Sequence, residues 1–488
     1  MKAFYEHKFD LLLIGLIAIA FAFLHYFYNL FNLPYFWDEL GVYSRSAIHL
    51  YKFGIGFLPS ALPDELSRGH PTLIPIIWAA SFKTFGCNVF VAKATGAVLY
   101  TIGMYYVYRI FLLKYKAFHA CLFTFIISIQ PAFIAQSVLI LPEGPLMVFS
   151  IMAFYYYLQE KHIQLSIAIT LALFTKESAL ILPMAFFLTD LFFKKLSLKK
   201  TLFTGVMPLT IITIYFIFQK FQRGYFFYPL HTSLVKIEYY FINERFRVFY
   251  NFVFHSQGRI FIWLIAPLVL TSYKFFTAFK SIQFDLKRTT VPNIKCIKIS
   301  KLSLSVLIFF LLGMSFAVLN YYLTRYTLYY LVMVYIAFFY ILFQKENLNI
   351  LHYASLLVLF GFSIIYSKDN VYTDVNFSYV EHIKSCQKTI DFLNVDSNKN
   401  KTVVMDFPIA VACWDNLSGY YNYLHFKPSS NWDTSALHDD FYVFTYPGNI
   451  DNAQNYKNKL DFVTKISSGY AYTEIYKKRK SVVKPNIE

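Results

Sequence analysis

Leu33-Pro34-Tyr35-Phe36-Trp37-Asp38-Glu39-Leu40 follows directly on an apolar run from Leu11 to Phe31. A run of that length matches the roughly 20 residues a helix needs to cross a bilayer. The octapeptide therefore places two adjacent carboxylates where a membrane span ends. Charges at a membrane lip are ordinarily Lys or Arg, whose long stems carry the head into water. Asp and Glu are too short to do this. The plain reading of Asp38-Glu39 is an acidic start to an interfacial helix with Asp as N-cap. The functional reading is one wall of a site at the membrane surface.

Composition supports the membrane reading across the whole chain. Of 488 residues, 57% are hydrophobic and 21% aromatic, and only 15% are charged, against roughly 25% in soluble domains. Mean hydropathy is +0.45. The net charge of +17 does not point to nucleic acid, because the basic residues gather in short loops between apolar runs, as the positive-inside rule predicts. Lys194, Lys195, Lys199 and Lys200 form one such loop, and Lys274, Lys280, Lys287, Arg288, Lys295, Lys298 and Lys301 another. Anionic lipid headgroups account for part of this charge. Five cysteines make no disulfide framework, although Cys386 and Cys413, the only two in the polar C-terminal region, allow a single bridge if that region faces an oxidising compartment. The first run is too long for a signal-peptide core and is read as a retained span.

Spans are predicted at about 10–31, 89–112, 118–138, 144–158, 163–175, 177–193, 202–219, 259–275, 302–320, 326–343 and 348–366. Parity decides the remaining apolar segment, 71–85. If it crossed, most basic loops would lie outside, so it is predicted to lie along the outer surface as a juxtamembrane helix. That gives an α-helical polytopic membrane protein with about eleven transmembrane helices. The N-terminus is cytoplasmic and the C-terminus extracytoplasmic, in a cell inner (plasma) membrane. The transmembrane domain is 1–366, with a first outer loop at 34–88, and 367–488 is a small C-terminal extracytoplasmic α/β domain. Within that domain Phe377 to Leu393 reads as a helix, and Thr402 to Phe407, Phe441 to Tyr446 and Tyr470 to Tyr476 read as strands.

On this topology the unusual residues collect on one side. Asp38, Glu39 and His70 lie in the first outer loop, and Glu143 lies in Leu141-Pro142-Glu143-Gly144-Pro145. Lys176-Glu177 joins two spans, Arg223, Arg245 and Arg247 lie in a loop at 220–258, and Arg325-Tyr326 sits at the mouth of a late span. Each has a plain structural reading: helix starts at His70-Pro71 and Glu143, a local ion pair at Lys176-Glu177, an interfacial anchor at Arg325-Tyr326. Five such outcomes on one face are a weaker account than a shared site. Paired repeats and midplane charges, the marks of a transporter, are absent from the sequence pattern.

An Asp-Glu pair closing the first span, a His-Pro, a Pro-Glu-Gly-Pro loop, a Thr-Lys-Glu-Ser junction and a late Arg-Tyr, in that order, resemble the GT-C membrane glycosyltransferases. The protein O-mannosyltransferases and bacterial lipid A aminoarabinose transferases are the nearest branch, and the likeness covers about residues 10–345. The resemblance implies a polyprenyl-phosphate-linked sugar donor and a lipid, glycan or protein acceptor, with membrane lipids as further partners. By resemblance Asp38 is the general base, and Glu39 its helper or a metal ligand. Glu143 matches a second acidic position that is usually Asp in the family. His70, Lys176, Glu177, Arg325 and Tyr326 are placed to bind the donor, with Lys176 and Arg325 on its phosphate. No cofactor is implied outright. A divalent metal is compatible with the acidic pair, but one pair plus a distant Glu is a weak metal signal. A glycan polymerase or ligase, and a lipid or oligosaccharide transporter, are the rival classes.

Overall fold

The computed structural model describes residues 2–260, 262–263, 300–343, 350–365, 373–430, 432, 440–448 and 456–479. The expected span at 259–275 falls for the most part outside them.

The first helix, Lys2–Tyr28, ends where Asn29 adopts a left-handed conformation (φ 55°). A short 3-10 turn, Leu30–Asn32, follows, and Pro34 keeps the chain from re-entering a helix. The first loop is not irregular. A π-turn at Glu39–Tyr43 runs into the helix Ser44–Phe53. The segment expected to lie on the surface forms the helix Leu73–Phe85, which Trp78 ties to the next helix by donating its indole N–H to the Ala92 carbonyl at 2.9 Å.

Among the described residues, four helices are long and apolar enough to cross a membrane: Lys8–Tyr28, Leu198–Arg223, Lys301–Leu319 and Thr324–Leu342. Others are shorter or broken, as at Ala117–Ser128 and Pro131–Gln136, which divide the expected span at 118–138. Likewise, the span expected at 177–193 begins as a 3-10 turn, Glu177–Leu180, before the helix Ile181–Phe192. The 220–258 region, expected as a loop, carries the helices Pro229–Ser233 and Tyr239–Tyr250. Its Arg223 and Arg245 are used as staples to backbone carbonyls of neighbouring segments. With no water in the bilayer core, helical hydrogen bonding inside each segment satisfies the backbone.

The helix Val89–Phe111 is the packing centre. Asn88 caps it, accepting from the Val91 N–H at 2.9 Å. Gly96 and Gly103 let it approach its neighbours. A Cβ at Gly96 would sit 2.4 Å from the Ser137 carbonyl oxygen, and one at Gly103 would sit 2.9 Å from Val148. Small residues at such contacts are the usual device of membrane helix packing. Here they bring the Val89–Phe111 helix against Ser137 and against Val148 of the helix Glu143–Leu158.

After residue 373 the composition yields a helix, Tyr379–Leu393, and a five-stranded sheet. The strands are β1 (Thr402–Met405), β2 (Lys427–Ser429), β3 (Phe441–Tyr446), β4 (Leu460–Ser468) and β5 (Ala471–Lys478), in the order β2-β1-β3-β5-β4. β1 is parallel to β2 and β3, and β5 is antiparallel to β3 and β4. Sequence reading missed two strands, both edges: β2 carries Pro428, and β4 carries the outward charges Asp461 and Lys465. Alternation along β1 and β3 separates the two faces. Val403, Met405, Phe441 and Val443 join the main core, whereas Val404, Tyr442 and Phe444 form a second cluster with Trp432. Cys386 and Cys413 are buried and unbridged.

Asp406, at the end of β1, is buried, accepts the Thr445 N–H at 2.9 Å, and is hydrogen-bonded to the Thr445 hydroxyl at 2.5 Å. Burial pushes its carboxyl up to about 7, with the Thr445 hydrogen bonds pulling the other way. An unfolded Asp titrates near 3.9. Between these values the folded chain holds a proton that the unfolded chain has released, so stability falls as pH rises from about 4 to about 7. Asp406→Asn is expected to flatten that part of the pH dependence of the melting temperature of the full chain. An unchanged slope would mean that Asp406 is not the group responsible.

Candidate active site

The site begins with the two neighbouring carboxylates, which face different ways. Glu39 is fully buried. Its oxygens each lie 2.8 Å from Lys93 Nζ, and they accept the Phe36 N–H at 3.0 Å and the Ile140 N–H at 2.9 Å. Four hydrogen bonds from three partners on three segments leave this carboxylate none of its capacity for a ligand. The expectation of Glu39 as a catalytic helper or metal ligand therefore has no geometric support. What Glu39 does is pin the first loop to the Val89–Phe111 helix.

Consecutive residues of a helical turn point about 100° apart, so pinning Glu39 inward turns Asp38 outward. Its side chain is 28% exposed and lines a cavity of about 440 Å³. Asp38 Oδ2 is paired with Arg325 Nη2, and no hydrogen bond among the described residues uses Oδ1. Trp37, just before it, has a positive φ of 43° and packs edge-on against Phe407 and His382 of the sheet-bearing part.

Arg325 sits in the 3-10 turn Thr324–Thr327 at the start of the helix Leu328–Leu342. Its guanidinium collects three carboxylates: Asp38 on Nη2, Asp374 on Nη1, and Glu143 at 3.6 Å from Nε. Asp374 comes from the linker to the sheet. Burial raises its carboxyl, and the Arg325 charge opposes that rise without cancelling it. Glu143, at the N-terminus of its helix, also takes Lys176 Nζ at 2.7 Å, and that ammonium lies 3.4 Å from the Tyr326 ring centroid. Lys176 occupies the extended break between His162–Thr175 and Glu177–Leu180. Its partner is Glu143 and not the adjacent Glu177, which instead meets His70 Nδ1 at 3.2 Å. The local Lys176–Glu177 pair is thus corrected to two long-range pairs.

A second cavity of about 360 Å³ adjoins the first and shares Arg68, His231, Leu234, Tyr321 and Tyr326 with it. His70, Lys176 and Glu177 stand on its wall, and Phe227, Phe316, Ala317 and Tyr330 make most of it apolar. His231 packs at a tilt against His70 with centroids 4.9 Å apart, and burial lowers its imidazole to about 4, so it is neutral at physiological pH. The arrangement is a row of charges between an apolar pocket and a more polar one. It can hold an amphiphile whose charged group lies at the boundary.

Among the described residues no group of three His, Cys, Asp or Glu side chains is arranged to hold a metal. The three carboxylates that do converge meet on Arg325, and a guanidinium occupies the position a cation would take.

Sequence reading brought Asp38, Glu143, His70, Lys176, Glu177, Arg325 and Tyr326 to one region, and the structure gathers them there. It missed Lys93, Arg68, His231 and Asp374. A lone Lys inside an apolar run, as at Lys93, is a signal that could have been followed. Asp374 lies in a polar linker where nothing in the local pattern distinguishes it.

No protein-family model matches the chain, and no curated sequence matches it. Solved structures do. ArnT from Cupriavidus metallidurans bound to undecaprenyl phosphate superposes with a TM-score of 0.55 at 12% identity, covering 96% of this chain and 98% of that one. The apo form of the same protein gives 0.54 at 12% identity, covering 94% and 96%. At this identity the likeness establishes the fold alone, which is that of these ArnT structures.

Proposed function

We propose that this chain, which shares the fold of ArnT, is a GT-C membrane glycosyltransferase drawing its sugar from a polyprenyl-phosphate donor on the extracytoplasmic face. The observation that carries this reading is the ordered meeting of Asp38, Arg325, Glu143 and Lys176 where an apolar and a polar cavity join. The polyprenyl chain enters the apolar cavity. Its phosphate rests at the boundary near His70, Lys176 and Tyr326, and the sugar projects toward Asp38. That the ArnT neighbour was solved with undecaprenyl phosphate supports a lipid of this class. A transporter would keep its charges near the membrane midplane, and these stand at one end of the helices.

The step assigned to the site is one displacement with inversion. The acceptor oxygen forms the new bond to the anomeric carbon, and its proton passes to the free oxygen of Asp38. The bond from that carbon to the phosphate oxygen breaks, its electron pair stays on oxygen, and polyprenyl phosphate leaves. Fixed cations at the boundary stabilise the charge that develops there. Arg325 holds Asp38 in place, and Glu143 holds Lys176. Glu39, with Lys93, sets the turn that presents Asp38. We assign the N-terminus to the cytoplasm and the sheet-bearing part to the outside of an inner (plasma) membrane.

The test is turnover by the purified full chain in nanodiscs, without any gradient, on a panel of undecaprenyl-phosphate sugars carrying radiolabelled sugar, each with hydroxyl- or phosphate-bearing lipid, glycan and peptide acceptors added. Release of undecaprenyl phosphate with loss of label from the lipid is expected for one of them. No release from any, together with no binding of undecaprenyl phosphate, would overturn the reading.

A further inference from the structure

Five cationic or imidazole side chains line the two cavities: Arg68, His70, Lys176, His231 and Arg325. A phosphodiester brought into this space needs a cation whose charge is not already balanced. Arg325 is surrounded by Asp38, Asp374 and Glu143. Lys176 is paired with Glu143, and His70 with Glu177. His231 is neutral. Among the described residues Arg68 alone of these has no carboxylate, hydrogen-bond or ring partner for its side chain, and it lies on the wall common to both cavities.

The backbone that carries Arg68 is built for it. Arg68 and Gly69 are both left-handed, at φ 45° and 70°, a region that costs a residue with a Cβ and clusters at functional sites. The turn is held from below. Arg68 N–H donates to the Asp64 carbonyl at 2.9 Å, Gly69 N–H to Ser67 Oγ at 3.2 Å, and His70 N–H to the Ser67 carbonyl at 2.9 Å. Arg223 then binds Ser67 Oγ, the Pro59 and Leu62 carbonyls and Asp64 together. Gly69 cannot be replaced without moving Tyr228, since a Cβ there would lie 2.8 Å from the Tyr228 Cβ. One buried arginine thus fixes the turn while the other is left without a partner at the cavity wall.

We infer that Arg68 is the cation that binds the donor phosphate and takes up the charge it gains on leaving, whereas Arg325 serves to hold the carboxylates. This rests on the glycosyltransferase reading above. A guanidinium can meet two phosphate oxygens at once, and a phosphodiester carrying one charge becomes a monoester carrying up to two. A free cation beside the departing oxygen follows that change, which one already bound to three carboxylates cannot.

The experiment is a binding titration of the full chain in nanodiscs with undecaprenyl phosphate and, in parallel, with undecaprenol. Arg68→Gln is expected to weaken undecaprenyl phosphate on the order of tenfold to a hundredfold while leaving undecaprenol binding as in wild type. Arg68→Lys is expected to recover part of the loss, as a point charge without the fork. If Arg68→Gln binds undecaprenyl phosphate like wild type, or loses both lipids equally, Arg68 is not the phosphate cation. If wild type binds the phosphate no better than the alcohol, the donor reading itself fails and takes this inference with it.

Discussion

Asp38→Asn is expected to lower the rate of sugar transfer by about 10²–10⁴-fold while donor binding stays within a fewfold of wild type. Asn keeps the shape of the side chain and can still accept the hydrogen bond that Arg325 gives Asp38, so the turn and the guanidinium stay where they are. What is removed is the ability to take a proton from the acceptor. Asp374→Asn is the control that makes the result specific, because Asp374 binds the same guanidinium and lines the same cavity. If Asp38 is the base, the large loss follows the first substitution and a smaller one the second. Transfer undiminished by Asp38→Asn in a folded variant, or a large loss confined to Asp374→Asn, would move the base to another carboxylate. The measurement is single-turnover transfer of labelled sugar, with undecaprenyl phosphate affinity determined beside it.

Lys93→Met is expected to destabilise the chain by about 3–5 kcal/mol, the usual consequence of leaving one member of a buried ion pair alone. Lys93 and Glu39 are both essentially inaccessible, at 1% and 0% exposure, so no water can replace the lost partner. The Phe36 and Ile140 N–H groups would still hold Glu39 but would leave its charge uncompensated. The double variant Glu39→Gln/Lys93→Met removes both charges and is expected to regain most of the loss, a coupling that a double-mutant cycle reads directly. Activity should follow stability, because Glu39 sets the turn that carries Asp38. If Lys93→Met folds and melts like wild type, the pair is not what fixes the first loop, and the separation of roles between Asp38 and Glu39 loses its basis.

Much of the architecture could be read in the chain because it follows from local pattern. Apolar runs of the right length, basic loops between them and the change of composition near residue 368 are statements about neighbouring residues and solvent. They place the helices and the C-terminal sheet to within a few residues, as at Tyr379–Leu393 and Phe441–Tyr446. The failures share a cause as well. The broken helices near Gln130 and Lys176, the helices within 220–258 and the edge strands β2 and β4 all depend on neighbours distant in sequence. Lys93 was passed over because an apolar run hides one charge, and Asp374 because a polar linker hides one more.

By itself, then, the order of residues determined that this is a polytopic membrane protein. It also determined that an acidic pair, a second carboxylate and several cations gather at one end of its helices. Hydropathy and the cost of charge in lipid are enough for that. Only the tertiary structure decided which charge serves which. Asp38 and Arg325 are 287 residues apart, and Glu39 and Lys93 are 54 apart. Side chains next to each other in a turn point to different surroundings, so Glu39 went to the core and Asp38 to the cavity. Lys176 likewise turned from its neighbour Glu177 to Glu143. In a medium of low dielectric a charge takes whichever partner packing brings within reach, and sequence neighbours have no priority in that choice.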